Sequence, residues 1–239
     1  MAGSRPLTHV EERTLVRYIR HLKPRDRALI TAQLFTGFRI SEVLSLAIGQ
    51  VVRDGQILEK IGVRPAYLKG HYGKTRWIPV CPELRRALET YLAVRNKNAS
   101  LRANDPLFLS RERDALGQPK ALSRSAAEKF IRQVLRRIAR SNAQQLSSHS
   151  LRKSWARRLY EKSGHDLMLV RDGLGHSSVS VTQAYLTVDR DRLESLIVAG
   201  DWTQRPRKAK PAALQLTILP SPVQPAGELC LPGFEYLVA

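Results

Sequence analysis

The sequence predicts a mainly α-helical α+β domain carrying a small antiparallel sheet. Three observations lead there. Apolar residues recur at helical spacing through most of the first 200 residues. The interval Val51 to Val80 breaks instead into short β-rich runs punctuated by Gly55, Gly62, Gly70 and Gly73. Near Gly200 the composition changes, because six of the 13 prolines fall in the last 39 residues. Residues 1–200 are therefore expected to form the folded domain and residues 201–239 a Pro-rich tail.

Thr8 and Glu11 have the spacing of a capping box, and Leu15, Ile19 and Leu22 then mark one face of a surface helix. Ala28 to Phe35 is apolar on most sides, as a buried helix is, and Gly37 is suited to end it. Ile40, Val43, Leu44, Ala47 and Ile48 continue the helical rule and predict a third helix. The last hairpin of the β-rich interval is expected over Ala66 to Pro79. Pro82 suits a first helical turn, with Leu84, Leu88, Tyr91 and Leu92 on one face. A further helix, about Ser123 to Arg140, has Phe130, Val134 and Ile138 at four-residue intervals, and Arg132, Arg136 and Arg140 at the same interval, so a basic stripe runs along one side. Asp166 and Gly173 bracket a short helix. Val179 to Leu186 is the next, capped by Ser178 or Ser180.

Charge narrows the function. Forty Lys and Arg against 21 Asp and Glu give a formal net charge of +19. In the tail, Arg205, Arg207, Lys208 and Lys210 against Asp201, Glu228 and Glu235 leave only +1, so the positive charge belongs to the domain. Such an excess points to a polyanionic partner, with nucleic acid the first candidate. There is no secretory pattern at the N-terminus and no apolar run near the roughly 18 residues that span a bilayer, so a cytoplasmic, DNA-associated protein with no membrane partner is expected. Cys81 and Cys230 have no metal-ligand spacing. Neither metal nor cofactor is expected.

Breaking a DNA phosphodiester without metal requires cations on the non-bridging oxygens, an in-line nucleophile and an acid for the departing oxygen. Arg39 directly precedes a helix. His149 and Arg152 lie three residues apart at another helix start, behind Ser147 and Ser148, and project from one face. Tyr185 follows His176 by nine residues across a serine-rich turn that can return a helix-borne phenol to the histidine. A phenol, with an ordinary pKa of roughly 10, needs nearby cations or a base before it attacks.

Four motifs carry these residues: Thr36-Gly37-Phe38-Arg39-Ile40-Ser41-Glu42, His149-Ser150-Leu151-Arg152, Leu174-Gly175-His176-Ser177-Ser178, and Tyr185. In this order and spacing the chain, over roughly residues 5 to 200, resembles the catalytic domain of the tyrosine recombinases, also called the phage integrase family. The resemblance implies that fold and a site-specific recombinase of integrase, resolvase or invertase type. In it Arg39 and Arg152 clamp the scissile phosphate, and His149 and His176 hydrogen-bond it and assist proton transfer. Tyr185 forms a 3′-phosphotyrosine, and Glu42 supports the site. A hairpin lysine serves the family as general acid; Lys69, which ends an apolar run before a glycine, fits best, and Lys74 is its rival. Lys74, Arg76, Arg132, Arg136 and Arg140 are candidate DNA contacts. The implied partner is double-stranded DNA, bound by a homo-tetramer whose subunits are monomers in free solution. A type IB topoisomerase-like activity and a non-catalytic DNA-binding regulator are the alternatives. Most family members also carry an N-terminal helical domain, for which the residues before Pro6 leave no room, so the match is to an excised catalytic domain or a naturally short member. The tail has no counterpart in the resemblance. It is expected either to be disordered or to dock its apolar pieces on a neighbouring subunit or over the Tyr185 helix.

Overall fold

The computed structural model describes residues 4–63, 75–98, 100–113, 116–117, 119–139, 142–176 and 178–183. The tail lies outside them. So do Lys69, Lys74, Arg140 and Tyr185.

The chain opens with helix α1 (His9–Tyr18). Its capping box is formed: the Glu11 N–H donates to Thr8 Oγ1 at 3.2 Å, and the Thr8 N–H donates to Glu11 Oε2 at 2.8 Å. Helix α2 (Pro24–Thr36) is the central element, with Ala28, Leu29, Ile30 and Leu34 fully buried between α4 and α6. Thr31, Gln33 and Thr36 are buried with them, and a helix buried on all sides has no polar face, which explains its weak amphipathic periodicity. Gly37 ends α2 in the left-handed region at φ 64°. A Cβ there would also meet the Trp155 ring at 2.4 Å, so both backbone and packing require glycine.

Helix α3 (Ile40–Leu44) is shorter than its apolar spacing predicts. Ala47 is extended and forms a bridge to Pro106, and the Leu46 carbonyl accepts from the Leu107 N–H at 2.7 Å. Long-range backbone pairing thus ends the helix before Ala47 and Ile48, of which Ile48 is still buried in the core. Strands β1 (Val52–Arg53) and β2 (Gln56–Ile57) pair, as do β3 (Lys60–Val63) and β4 (Arg76–Pro79), both antiparallel. The partner of Arg76–Pro79 is therefore Lys60–Val63, with Ile61 opposite Ile78, and the ladder begins earlier in the chain than Ala66.

Helix α4 (Pro82–Asn98) packs on α2 and buries Leu84, Leu88, Tyr91 and Leu92, the face anticipated from sequence. An unanticipated hairpin follows, β5 (Leu109–Arg113) with β6 (Pro119–Ala121). Its first strand carries Arg111, Glu112 and Arg113, so it lacks the apolar alternation by which a strand is read. Helix α5 (Arg124–Ile138), capped by Ser123, buries Ala127, Ile131, Val134, Leu135 and Ile138. Helix α6 (Ser148–Lys162) places Leu151 and Ala156 in the interior. Helix α7 (Leu167–Leu174) begins at Asp166, whose carboxylate accepts from the N–H groups of Met168 and Leu169, and ends at Gly175 with φ 65° rather than at Gly173. Gly173 is instead a contact glycine, where a Cβ would lie 2.8 Å from the Trp155 ring. Ser178 caps α8, described over Val179–Gln183. No helix among the described residues is long and apolar enough to cross a membrane.

Candidate active site

Three separated stretches of chain meet at one buried carboxylate, that of Glu42 on α3, which has no exposed surface. Its Oε2 accepts from the Arg39 backbone N–H at 2.7 Å and its Oε1 from Arg39 Nη1 at 2.7 Å. Arg76 Nη2 on β4 donates to Oε2 at 2.6 Å, and Arg152 Nη1 on α6 lies 3.7 Å from the same oxygen. Burial alone would raise the Glu42 carboxyl, but Arg76, Arg152 and the two bonds from Arg39 outweigh it and hold the pKa below its ordinary value. Glu42 is thus an anion wrapped in cations.

Arg152 is the largest fully buried side chain described. Its Nη1 donates to the Gly37 carbonyl at 2.5 Å and its Nη2 to the Leu174 carbonyl at 2.8 Å. Both acceptors are carbonyls at helix ends, which lack an intrahelical partner and favour a cation. One guanidinium therefore joins the loop that presents Arg39 to the loop that presents His176.

His176 Nε2 is 3.1 Å from Arg152 Nη2, and its Nδ1 is 3.0 Å from Thr182 Oγ1 on α8. A guanidinium can only donate, so Nε2 accepts and Nδ1 carries the proton toward Thr182. Burial first, then the charges of Arg152, Arg39 and Arg76, lowers the pKa of His176 to about 3. At neutral pH the ring is uncharged. His149 stands at the start of α6 with its N–H donating to Ser147 Oγ at 3.2 Å. Burial, followed by Arg152, Lys153 and Arg39, lowers its pKa too. Two neutral imidazoles beside two guanidinium groups can exchange hydrogen bonds and protons with a phosphate without adding charge.

Arg39, Glu42, His149, Arg152 and His176 are thereby gathered, as the motifs anticipate. Arg76, anticipated as a DNA contact, is turned inward: its side chain is 8% exposed, pairs with Glu42, donates from Nη1 to the Leu174 carbonyl and lies over the Phe38 ring at 4.7 Å. Arg132 and Arg136 do face solvent on α5, where with Lys129, Gln133 and Arg137 they line a shallow groove. Glu128 on that helix accepts from Ser148 Oγ at 2.5 Å, tying the basic helix to the turn before His149.

Two further residues belong to the site. Trp155 on α6 lies against Gly37 and Gly173 and donates from Nε1 to the Phe35 carbonyl at 3.0 Å. Thr182 has no distinguishing sequence signal. Its significance arises from a hydrogen bond across a turn to His176.

A model of the phage integrase family matches residues 5–192. The chain belongs to the phage integrase family. Among curated members of the family, tyrosine recombinase XerC of Herpetosiphon aurantiacus is 30% identical over 194 residues, covering 81% of this chain and 56% of the relative. Tyrosine recombinase XerD of Corynebacterium glutamicum is 32% identical over 172 residues, covering 72% and 51%. This phage integrase family member thus spans about half the length of the curated relatives it matches. The XerA recombinase shares its fold, with a TM-score of 0.63 at 24% identity over 83% of this chain and 66% of that one. The XerH site-specific recombinase, bound to palindromic difH substrate in a post-cleavage complex, superposes with a TM-score of 0.62 at 25% identity, over 85% and 54%.

Proposed function

We propose that the chain is the catalytic domain of a site-specific DNA recombinase that cuts and rejoins strands through Tyr185. The observation that carries this reading is the binding of Arg152 to the carbonyls of Gly37 and Leu174, which draws Arg39, His149 and His176 around one centre from distant parts of the sequence. Relatives named as tyrosine recombinases, and a neighbour described as a recombinase in a post-cleavage complex with its DNA substrate, support it.

In this mechanism Arg39 and Arg152 hold the non-bridging oxygens of one phosphodiester and stabilise the charge that grows there. The Tyr185 oxygen forms a bond to phosphorus and loses its proton to a neutral imidazole. The bond from phosphorus to the 5′ oxygen breaks, and that oxygen takes a proton from an acid, for which Lys69 is favoured over Lys74. The 3′-phosphotyrosine conserves the bond energy. The 5′-hydroxyl of a partner strand then attacks phosphorus and releases the tyrosine. Exchange between two duplexes calls for four subunits, so a homo-tetramer on DNA is part of the proposal.

A nicked suicide duplex tests it. The expected result is a denaturation-resistant protein–DNA adduct with the wild-type chain and none with Tyr185→Phe. An adduct that survives the Tyr185→Phe change removes Tyr185 as nucleophile. Absence of any adduct leaves a DNA-binding module, and relaxation of supercoiled DNA without strand exchange marks a topoisomerase-like enzyme.

A further inference from the structure

His149 stands in the first turn of α6, where backbone N–H groups have no intrahelical acceptor and a side chain is placed only as well as the turn is held. Beyond the Ser147 cap, the turn is held through Ser148, which is 3% exposed. The Ser148 carbonyl accepts from Gln33 Nε2 on α2 at 3.0 Å, and Ser148 Oγ donates to Glu128 Oε1 on α5 at 2.5 Å.

The second bond is a particular use of a glutamate. On a solvent-facing helix, a glutamate four residues before an arginine ordinarily pairs with it. Arg132 occupies that position and lines the same groove, yet among the described residues Glu128 forms no ion pair. Its carboxylate serves the start of α6 instead. The second oxygen, Oε2, is buried and has no hydrogen-bond partner among the described residues. Buried polar atoms ordinarily find a partner, so this one marks negative charge held in reserve beside a group that exchanges protons.

That charge reaches His149. Burial, Arg152 and Lys153 on α6, and Arg39 before α3 all disfavour a proton on the ring, and Glu128 acts against them.

We infer that Glu128 is a positioning residue for His149, fixing the start of α6 through Ser148 and favouring the proton that the ring accepts during strand cleavage. The inference rests on the strand-cleavage reading above. In that reaction the attacking phenol gives up its proton as its oxygen bonds to phosphorus. Passed to His149, the proton makes a neutral ring into a cation beside Arg39, Arg152 and Lys153. Glu128 offsets that added charge without taking the proton itself, as the third group behind a nucleophile and its base does.

The test compares the full chain with Glu128→Gln, Glu128→Asp and Ser148→Ala, each assayed well below its own melting temperature. Two quantities are read: the pKa of the His149 imidazole, from its ring signals in the free protein, and the adduct rate on the nicked duplex at saturating DNA. Glu128→Gln keeps an acceptor for Ser148 but loses the charge. It is expected to lower the His149 pKa further and to slow the adduct on the order of tenfold, short of the roughly 10²–10⁴-fold that a positioned base supplies. Glu128→Asp keeps the charge and should lower the His149 pKa less than Glu128→Gln. Ser148→Ala removes the tether and should slow the adduct severalfold.

A His149 pKa that does not fall in Glu128→Gln, a pKa as low in Glu128→Asp as in Glu128→Gln, or a wild-type adduct rate in Glu128→Gln or Ser148→Ala overturns the inference. A lower melting temperature with both quantities unmoved is a purely structural role and overturns it too. If Glu128→Gln does not fold, Glu128→Asp is read against wild type: a lower pKa with a slower adduct sustains the inference, and unchanged values overturn it. Wild type that forms no adduct defeats the recombinase reading alone. The His149 pKa then decides the role of Glu128: a fall in Glu128→Gln sustains it, and no change overturns it.

Discussion

Two groups of arginines in this domain obey different physics. Arg39, Arg76 and Arg152 converge on a wholly buried carboxylate and on helix-end carbonyls, while Arg132, Arg136 and Arg137 project from α5 into solvent. The interior group is fixed before any ligand arrives, so its geometry is pre-organised and its charges act through little water. The exterior group is hydrated and screened within roughly 10 Å at ordinary salt. Interior arginines should therefore govern the rate of chemistry, and exterior ones the affinity for a polyanion.

The largest effect separating the groups is expected at Arg152. Arg152→Ala should slow adduct formation by a factor on the order of a hundred or more, by analogy with loss of one oxyanion donor. It should also destabilise the fold by roughly 2–5 kcal/mol, since two carbonyls and part of a buried ion cluster lose their partner. Arg39→Ala should slow cleavage comparably while costing only about 1 kcal/mol, because its side chain is partly exposed. Equal stability losses in urea titrations of the two variants would erase this distinction within the interior group.

Acid should act on the interior next. His176 has a folded pKa of about 3, and His149 is also lowered. Between pH 6.5 and about 3 the unfolded chain therefore binds protons that the folded chain refuses, so stability is present above pH 6.5 and drains away as pH falls through that window. Glu42, held below its ordinary 4.5, adds a loss of the same sign below about pH 4.5. The melting temperature of wild type should drop across this range, and His176→Gln should flatten the slope. A parallel decline in the variant would assign the loss to general charge repulsion.

Smaller still is the link from His176 to α8. Thr182→Val should cost about 1 kcal/mol, read by urea denaturation, and should slow adduct formation by releasing the Nδ1 proton from its acceptor. On the exterior, Arg132→Ala and Arg136→Ala should each reduce the slope of log affinity against log salt by about 0.9. Their effect on adduct rate at saturating DNA should be far below that of Arg152→Ala. A rate loss as large as that of Arg152→Ala would place α5 in the chemistry and dissolve the contrast.

Much of the domain was legible in order along the chain. The Thr8 and Glu11 cap, the all-round burial of α2, the Gly37 terminator and the two faces of α5 follow from rules that span a turn or two. Arg39, His149, Arg152 and His176 could be named because their types and spacing suit phosphate chemistry, and Glu42 because the family resemblance implies it. The β5–β6 hairpin escaped because its charged strand has no alternation, and α3 ran short because Ala47 pairs with Pro106.

Which arginine does what was a matter for tertiary structure. Arg76 and Arg132 are both surface-like cations in sequence, yet one is sealed against Glu42 and the other faces water. Local spacing sets which face of an element a side chain occupies, and that is a property of the neighbouring residues. Whether that face meets a carboxylate, a carbonyl or solvent depends on elements about 34 to 98 residues away, as Glu42 and Leu174 are from Arg76, and only the folded chain brings them together.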